Sequence, residues 1–142
     1  MKPTKHSIAY AIYNKDRSKV LAVLRPEDDD NLPNVWGLPA GTLKEGEDYE
    51  QAVICSGHDK LGIELKVIKL INEGGVERDK LVLHMKEYEA EIASGQPSVP
   101  QPVDGVTQYQ QWKWAEPDLL KEAAQKGSLC SRLLLSHIGR KW

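Results

Sequence analysis

Two apolar stretches open the chain, separated by a polar turn. Ser7 to Tyr13 (SIAYAIY) is nearly continuous in apolar side chains, the pattern of a strand covered on both faces. Asn14-Lys15-Asp16-Arg17-Ser18 supplies turn chemistry, and Val20 to Leu24 repeats the buried-strand pattern. Arg25-Pro26 then opens an acidic loop, Glu27-Asp28-Asp29-Asp30-Asn31, with Pro33 behind it. A helix is predicted to begin near Asp48, which can cap the first turn with Gln51 three residues on, and Gly62 is placed to end it.

Beyond the helix the period changes to two. Ile63, Leu65 and Val67 alternate with Glu64 and Lys66, which predicts a half-exposed strand. Glu73-Gly74-Gly75 is expected to break it. A long strand is predicted from Lys80 to Ile92, with Leu81, Leu83 and Met85 marking one face and Tyr88, Ala90 and Ile92 the other. A bulge or sharp twist near Lys86-Glu87 would reconcile the two halves. Ser94 to Pro102 is rich in breakers and reads as a loop, and Gln111 to Ala115 as a last strand. Pro117 suits the first turn of a short helix ended by Gly127. Ser128 is placed to cap another, whose Cys130, Leu133, Leu134 and Ile138 share one face. Periodicity alone therefore supports an α+β fold, without internal repeats.

Composition narrows the class of protein but not its chemistry. A chain of 142 residues suits one domain across residues 1–142, with enough length for a real core. The formal net charge of -2 provides no global attraction to nucleic acid or to an anionic membrane. The apolar run after His6 is too short, and too quickly followed by charge, for a membrane span or signal peptide. Neither nucleic acid nor membrane is an expected partner, and the cytoplasm is the expected compartment. Cys55 and Cys130 lack metal-ligand spacing and are expected as two buried, reduced thiols.

The candidate chemistry lies between Gly41 and Ile63, which reads GTLKEGEDYEQAVICSGHDKLGI directly after Val35-Trp36-Gly37-Leu38-Pro39-Ala40. It resembles the Nudix box, G-x5-E-x7-R-E-U-x-E-E-x-G-U with U aliphatic. Gly41, Glu47, Gly62 and Ile63 fall in register. Trp112-Lys113-Trp114-Ala115-Glu116-Pro117 also resembles the family's strand-to-helix ending. The resemblance covers nearly the whole chain and implies a mixed β-sheet between helices, an α/β/α sandwich. Family members are often dimers, so it also carries the expectation of a homodimer.

The centre of the box departs from the family pattern. Where Arg-Glu-U-x-Glu-Glu should stand, this chain has Cys55-Ser56-Gly57-His58-Asp59-Lys60. Cleaving a diphosphate requires charge stabilisation at phosphorus, which Mg²⁺ or Mn²⁺ held by oxygen ligands provides. A helix presents such ligands from positions i, i+3 and i+4, and here these are Ser56, Asp59 and Lys60. Serine is a weak ligand, Asp59 keeps a carboxylate, and the Lys60 ammonium would repel a metal ion. Weak or absent Mg or Mn binding is therefore expected, with Glu47 and Asp59 as the remaining metal candidates.

Each candidate has an ordinary reading beside the functional one. Lys60 either binds a phosphate oxygen in place of the metal or is a cation favoured in the last turn of a helix. Glu47, freed from the family's arginine partner, either binds metal with Asp59 or lies in the first helical turn. His58 beside Asp59 is read as solvated rather than as a base, and Cys55 as a small filler. Asp104 is the one acid near the position of a further family glutamate. Arg25, Arg78 and Gly41 are candidates for phosphate contact, while Trp36, Trp112 and Trp114 are more often core residues than base-stacking platforms. Asp59, Glu47 and Lys60 are thus the candidate catalytic set. The resemblance implies recognition of a nucleotide or another diphosphate compound with weak or absent hydrolysis. An active hydrolase with relocated acids and a non-catalytic interaction module are the alternatives.

Overall fold

The computed structural model describes residues 2–29 and 32–142. Its centre is a four-stranded mixed sheet in the order β4-β1-β6-β5, formed by β4 (Ala40–Thr42), β1 (Thr4–Ile12), β6 (Val82–Ser94) and β5 (Glu64–Glu77). Among the described residues only β1 and β6 run parallel, in an unbroken register from Thr4 opposite Val82 to Ile12 opposite Ala90. A smaller antiparallel sheet orders β3 (Trp36–Gly37), β2 (Val20–Leu24) and β7 (Gln111–Ala115). Helix α1 (Tyr49–Ser56) lies early in the chain, and α2 (Lys121–Gln125) and α3 (Leu129–His137) lie at its end.

The continuous apolar run of β1 arises because its two faces meet different cores. Ile8, Tyr10 and Ile12 pack with Ala52 and Val53 of α1. Ala9 and Ala11 pack with Leu133 and Leu134 of α3. The expected sheet between helices follows directly, since a strand buried on both sides needs a layer on each.

β6 behaves the same way, which corrects the expected bulge at Lys86-Glu87. Met85 faces the α3 core while Tyr88 and Ala90 face the α1 core, so the apparent phase change is one regular strand read on two faces. Opposite this stretch the irregularities lie in its partner, with register shifts between Val67 and Lys69 and between Leu70 and Asn72, while the extra residue in β6 itself is Ala93, opposite the step from Glu64 to Leu65. Nor do Glu73-Gly74-Gly75 break the chain, because β5 continues through them to Glu77. An added Cβ on Gly74 would lie 3.1 Å from Leu133, so a residue with no side chain lets α3 cross this strand closely. The bulges and the flanking Lys66 and Lys69 blunt β5, which is a sheet edge.

Helix α1 starts as its sequence predicts. Asp48 is extended and its side chain accepts from the Gln51 amide at 2.7 Å. Asp48→Ala is expected to cost about 1 kcal/mol in urea unfolding, the usual effect of removing an N-cap. After Ser56 the helix widens into one π-type turn, Gly57–Leu61, and ends at Gly62 in the left-handed region at φ 69°. Glycine suits that conformation, and a Cβ there would also sit 2.6 Å from Gln101. Ser128 caps α3 by accepting from the Ser131 amide, and Cys130, Leu133 and Leu134 are buried beneath it. Among the described residues no helix is long and apolar enough to cross a membrane.

Candidate functional site

The site forms where β4 pairs with the middle of β1, with Gly41 opposite Ile8 and Ala40 opposite Ala9. On one side is a cavity of about 700 Å³ lined by Lys5 and Ser7 of β1, Arg25 after β2, Leu83 and Met85 of β6, and Tyr109. On the other is a cavity of about 320 Å³ lined by Lys44, Glu47, Cys55, Ser56 and Asp59. Gly41, Thr42, Lys60, Val106 and Thr107 line both, so Lys60 stands where the two meet. The roof is the loop before β7. Gln108 clasps it there, accepting from the Gln101 amide at 2.8 Å and donating to the Asp59 carbonyl at 3.1 Å.

Lys60 is held by two groups. Its Nζ donates to the Ala40 carbonyl at 2.5 Å and lies 5.3 Å from the centre of the Tyr109 ring. The Tyr109 hydroxyl in turn donates to the same carbonyl at 3.2 Å and accepts from the Ala40 amide at 3.0 Å. An ammonium over an aromatic face gains about 0.5–2 kcal/mol, and the shared carbonyl adds a charge-assisted hydrogen bond. Lys60 therefore has a defined position at the junction rather than a solvated one.

The two acids line the smaller cavity, and both carboxylates have protein partners. The Asp59 carboxylate meets His58 Nδ1 at 3.0 Å and Lys44 Nζ at 3.9 Å. The hydrogen bond to Asp59 raises the pKa of His58, which is otherwise exposed. Glu47 stands in the turn before the helix cap, where its side chain accepts from the Lys44 amide at 3.1 Å. It also pairs with Cys55, in the place of the family's arginine. Local desolvation, and after it the bond to Glu47, raise the Cys55 thiol pKa, so this cysteine is a poor nucleophile. The expectation that both thiols are buried is corrected, because Cys55 is exposed and Cys130 alone is enclosed.

Ser56 answers to the core more than to the cavity. It is 7% exposed, and its hydroxyl pairs with the buried Tyr10 hydroxyl at 3.0 Å. Tyr10 has its pKa raised, chiefly by burial, and stays a neutral hydrogen-bonding partner. To the cavity it offers at most a neutral hydroxyl that is already engaged by Tyr10.

The donor set does not fit the divalent ion that the box would imply. Among the described residues no group of three or more His, Cys, Asp or Glu side chains is arranged to hold a metal ion. Hard cations of this kind take about six oxygen ligands, and a metal within ~4 Å of the Lys60 ammonium would be repelled by roughly 8 kcal/mol at an effective dielectric near 20.

Other candidates are distributed unevenly. Arg25 lines the larger cavity and pairs with Asp29 at 3.2 Å, while Asp29 also accepts from the Leu32 amide. Asp28 and Asp29 of the acidic loop line that cavity too, and Asp30 and Asn31 lie outside the described residues. Gly41 borders both cavities through its backbone. Arg78, a candidate phosphate contact, lines neither. Its guanidinium donates to the Gly127 carbonyl at 3.2 Å and ties the β5–β6 hairpin to the turn between α2 and α3. Asp104 is exposed and lines neither cavity. Trp112 and Trp114 pack edge to face at 6.1 Å against the α1 core, and Trp36 lies under Lys113. Sequence reasoning missed Lys5, Lys44, Gln108 and Tyr109. Lys44 sits within the box itself and was within reach of a charge inventory, whereas the others reach the site only through strand pairing and the return of the roof loop.

Residues 3–133 match the family model of the NUDIX domain. No curated protein matches the chain. Among solved structures, a NUDIX hydrolase from Nitrosomonas europaea aligns with a TM-score of 0.72 at 17% identity, covering 99% of this chain and 93% of that one. A MutT NUDIX hydrolase from Burkholderia pseudomallei aligns at 0.69 with 23% identity, covering 82% and 86%. An ADP-ribose pyrophosphatase from Streptococcus suis aligns at 0.59 with 16% identity, covering 90% of each chain. These identities speak to the fold. Together with the box frame of Gly41, Glu47, Gly62 and Ile63 and the cleft built around it, the family match establishes that this chain belongs to the Nudix family.

Proposed function

We propose that the chain binds a nucleotide or another diphosphate compound across the two cavities and hydrolyses it weakly or not at all. The observation that carries this reading is the charge distribution. Lys5, Arg25 and Lys60 line the larger cavity with Asp28 and Asp29, beside Leu83, Met85 and Tyr109, an excess of cations next to an apolar wall that suits a phosphate group and an attached ring. The smaller cavity offers two carboxylates, Glu47 and Asp59, where the family box would provide more. The ADP-ribose pyrophosphatase among the fold relatives supports a nucleoside diphosphate derivative as the ligand class.

The test combines thermal shift with chromatographic measurement of AMP or UMP release, using ADP, UDP and ADP-ribose with and without Mg²⁺ or Mn²⁺. A compound present at ~100 times its Kd should stabilise the fold by about 2.7 kcal/mol, with little or no release. Robust metal-dependent release that disappears in Asp59→Asn would show an active hydrolase with relocated acids. No shift with any of the three compounds would leave the interaction module as the better account.

A further inference from the structure

The mismatch between the family's metal chemistry and this donor set has a specific physical counterpart. We infer that Lys60 is a resident cation in place of the divalent metal, so that this chain binds the diphosphate group of its ligand without a metal ion. The inference rests on the binding proposed above and extends it.

Three observations converge. Lys60 occupies the box position whose family residue is a glutamate, so the sign of the charge at the cavity junction is reversed. The ammonium is fixed there by the Ala40 carbonyl at 2.5 Å and by the Tyr109 ring. An ammonium has three N–H donors, and among the described residues the Ala40 carbonyl is its one hydrogen-bond acceptor. Donors thus remain for a phosphate oxygen at the point that both cavities share. Position also matters, because a preplaced charge loses less side-chain freedom on binding than a solvated lysine does.

The remaining carboxylates suit this arrangement better than they suit a metal. Lys44 and His58 engage Asp59, the Lys44 amide engages Glu47, and among the described residues neither acid forms an ion pair with Lys60. Lys5 adds positive charge along the larger cavity, where Arg25 is paired with Asp29 and Asp28 also stands at the wall. The ligand's own negative charge is then matched by side chains of the protein, the task a bound divalent ion performs elsewhere.

The experiment is a calorimetric titration of the full chain with ADP, and separately with inorganic pyrophosphate, in EDTA and in excess Mg²⁺. The expected result is binding in EDTA at least as tight as in excess Mg²⁺, since the ion itself complexes the diphosphate and competes with Lys60 for its oxygens. Lys60→Met, which keeps the apolar stem over Tyr109, should weaken binding about tenfold or more, while Lys60→Arg retains most of it. Lys60→Glu should bind poorly in EDTA and recover when Mn²⁺ is added. Wild-type binding that requires Mg²⁺, or undiminished binding by a folded Lys60→Met, overturns the resident-cation inference and leaves the binding reading in place. Failure of both probes to bind under either condition removes the binding reading itself. The EDTA comparison needs only the wild-type chain, so the test stands even where a Lys60 variant folds poorly.

Discussion

Replacing Glu87 with methionine is expected to stabilise this protein by about 2 kcal/mol at pH 7, the scale of an unsatisfied buried polar group. Glu87 lies on β6 two residues beyond Met85, on the face turned toward α3. It is 0% exposed, and among the described residues neither carboxylate oxygen has a hydrogen-bond partner. Burial raises its pKa well above the ordinary carboxylate value, with Cys130 of α3 a secondary cause. Tyr13, after β1, also feels its charge. The contrast with Glu89 is instructive. Two residues along the same strand, Glu89 reaches Arg17 through two bonds of 3.0 and 3.1 Å, and its pKa is lowered.

The pH dependence follows from the direction of that shift. The unfolded chain ionises Glu87 near pH 4.3, while the native state keeps it protonated to higher pH. Above the unfolded value the native state binds the extra proton, so stability falls as pH rises, by up to about 1.4 kcal/mol per pH unit from this one group. Glu87→Gln should remove this slope, and Glu87→Met should also remove the unsatisfied polar atoms. Urea unfolding of wild type and both variants at pH 5 and pH 8 checks this, since other titrating groups cancel in the difference. A wild-type slope unchanged in Glu87→Gln, or a less stable Glu87→Met, would falsify the account.

The second large effect concerns Gly57, where the Nudix box has an aliphatic residue. Restoring a side chain there is expected to destabilise the protein by about 1–3 kcal/mol for alanine, and by more for valine, through overpacking. An added Cβ would lie 2.4 Å from Leu65 Cδ1 and 2.7 Å from its Cγ. Leu65 is 6% exposed and packed in the α1 core, so it has little room to move aside. Helix propensity argues the other way, since Gly→Ala gains about 1 kcal/mol in an unconstrained helix. The sign of the measured change therefore decides between packing and propensity. Leu65→Ala alone should cost about 2–5 kcal/mol, and Gly57→Val combined with it should cost less than the sum of the two changes. Additive losses would mean that the two side chains do not compete for this space.

Local signals in this chain were legible wherever they depended on neighbours in sequence. The Asp48 cap, the Gly62 stop, the Ser128 cap and the strands at Val20 and Gln111 are all short-range features, and each is found in the structure. The readings that went astray needed a partner from elsewhere. Glu73-Gly74-Gly75 looked like a break until α3 was seen to cross β5 there, and β6 looked bulged until both of its faces were seen to be buried. Cys55 was expected inside because its type is usually buried, yet on α1 it faces the cavity and Glu47.

The candidate site divides along the same line. By itself the sequence determined the family, through the spacing of Gly41, Glu47, Gly62 and Ile63, and the loss of acids at Ser56 and Lys60. The tertiary structure decided what replaced them. Pairing of β1 with β4 presents the Ala40 carbonyl to Lys60, the roof loop brings Tyr109 beneath its ammonium, and α1 turns Ser56 toward Tyr10. Charge can be counted along a chain, but its energy depends on what lies within a few ångströms, and here those neighbours come from segments 20 to 49 residues away.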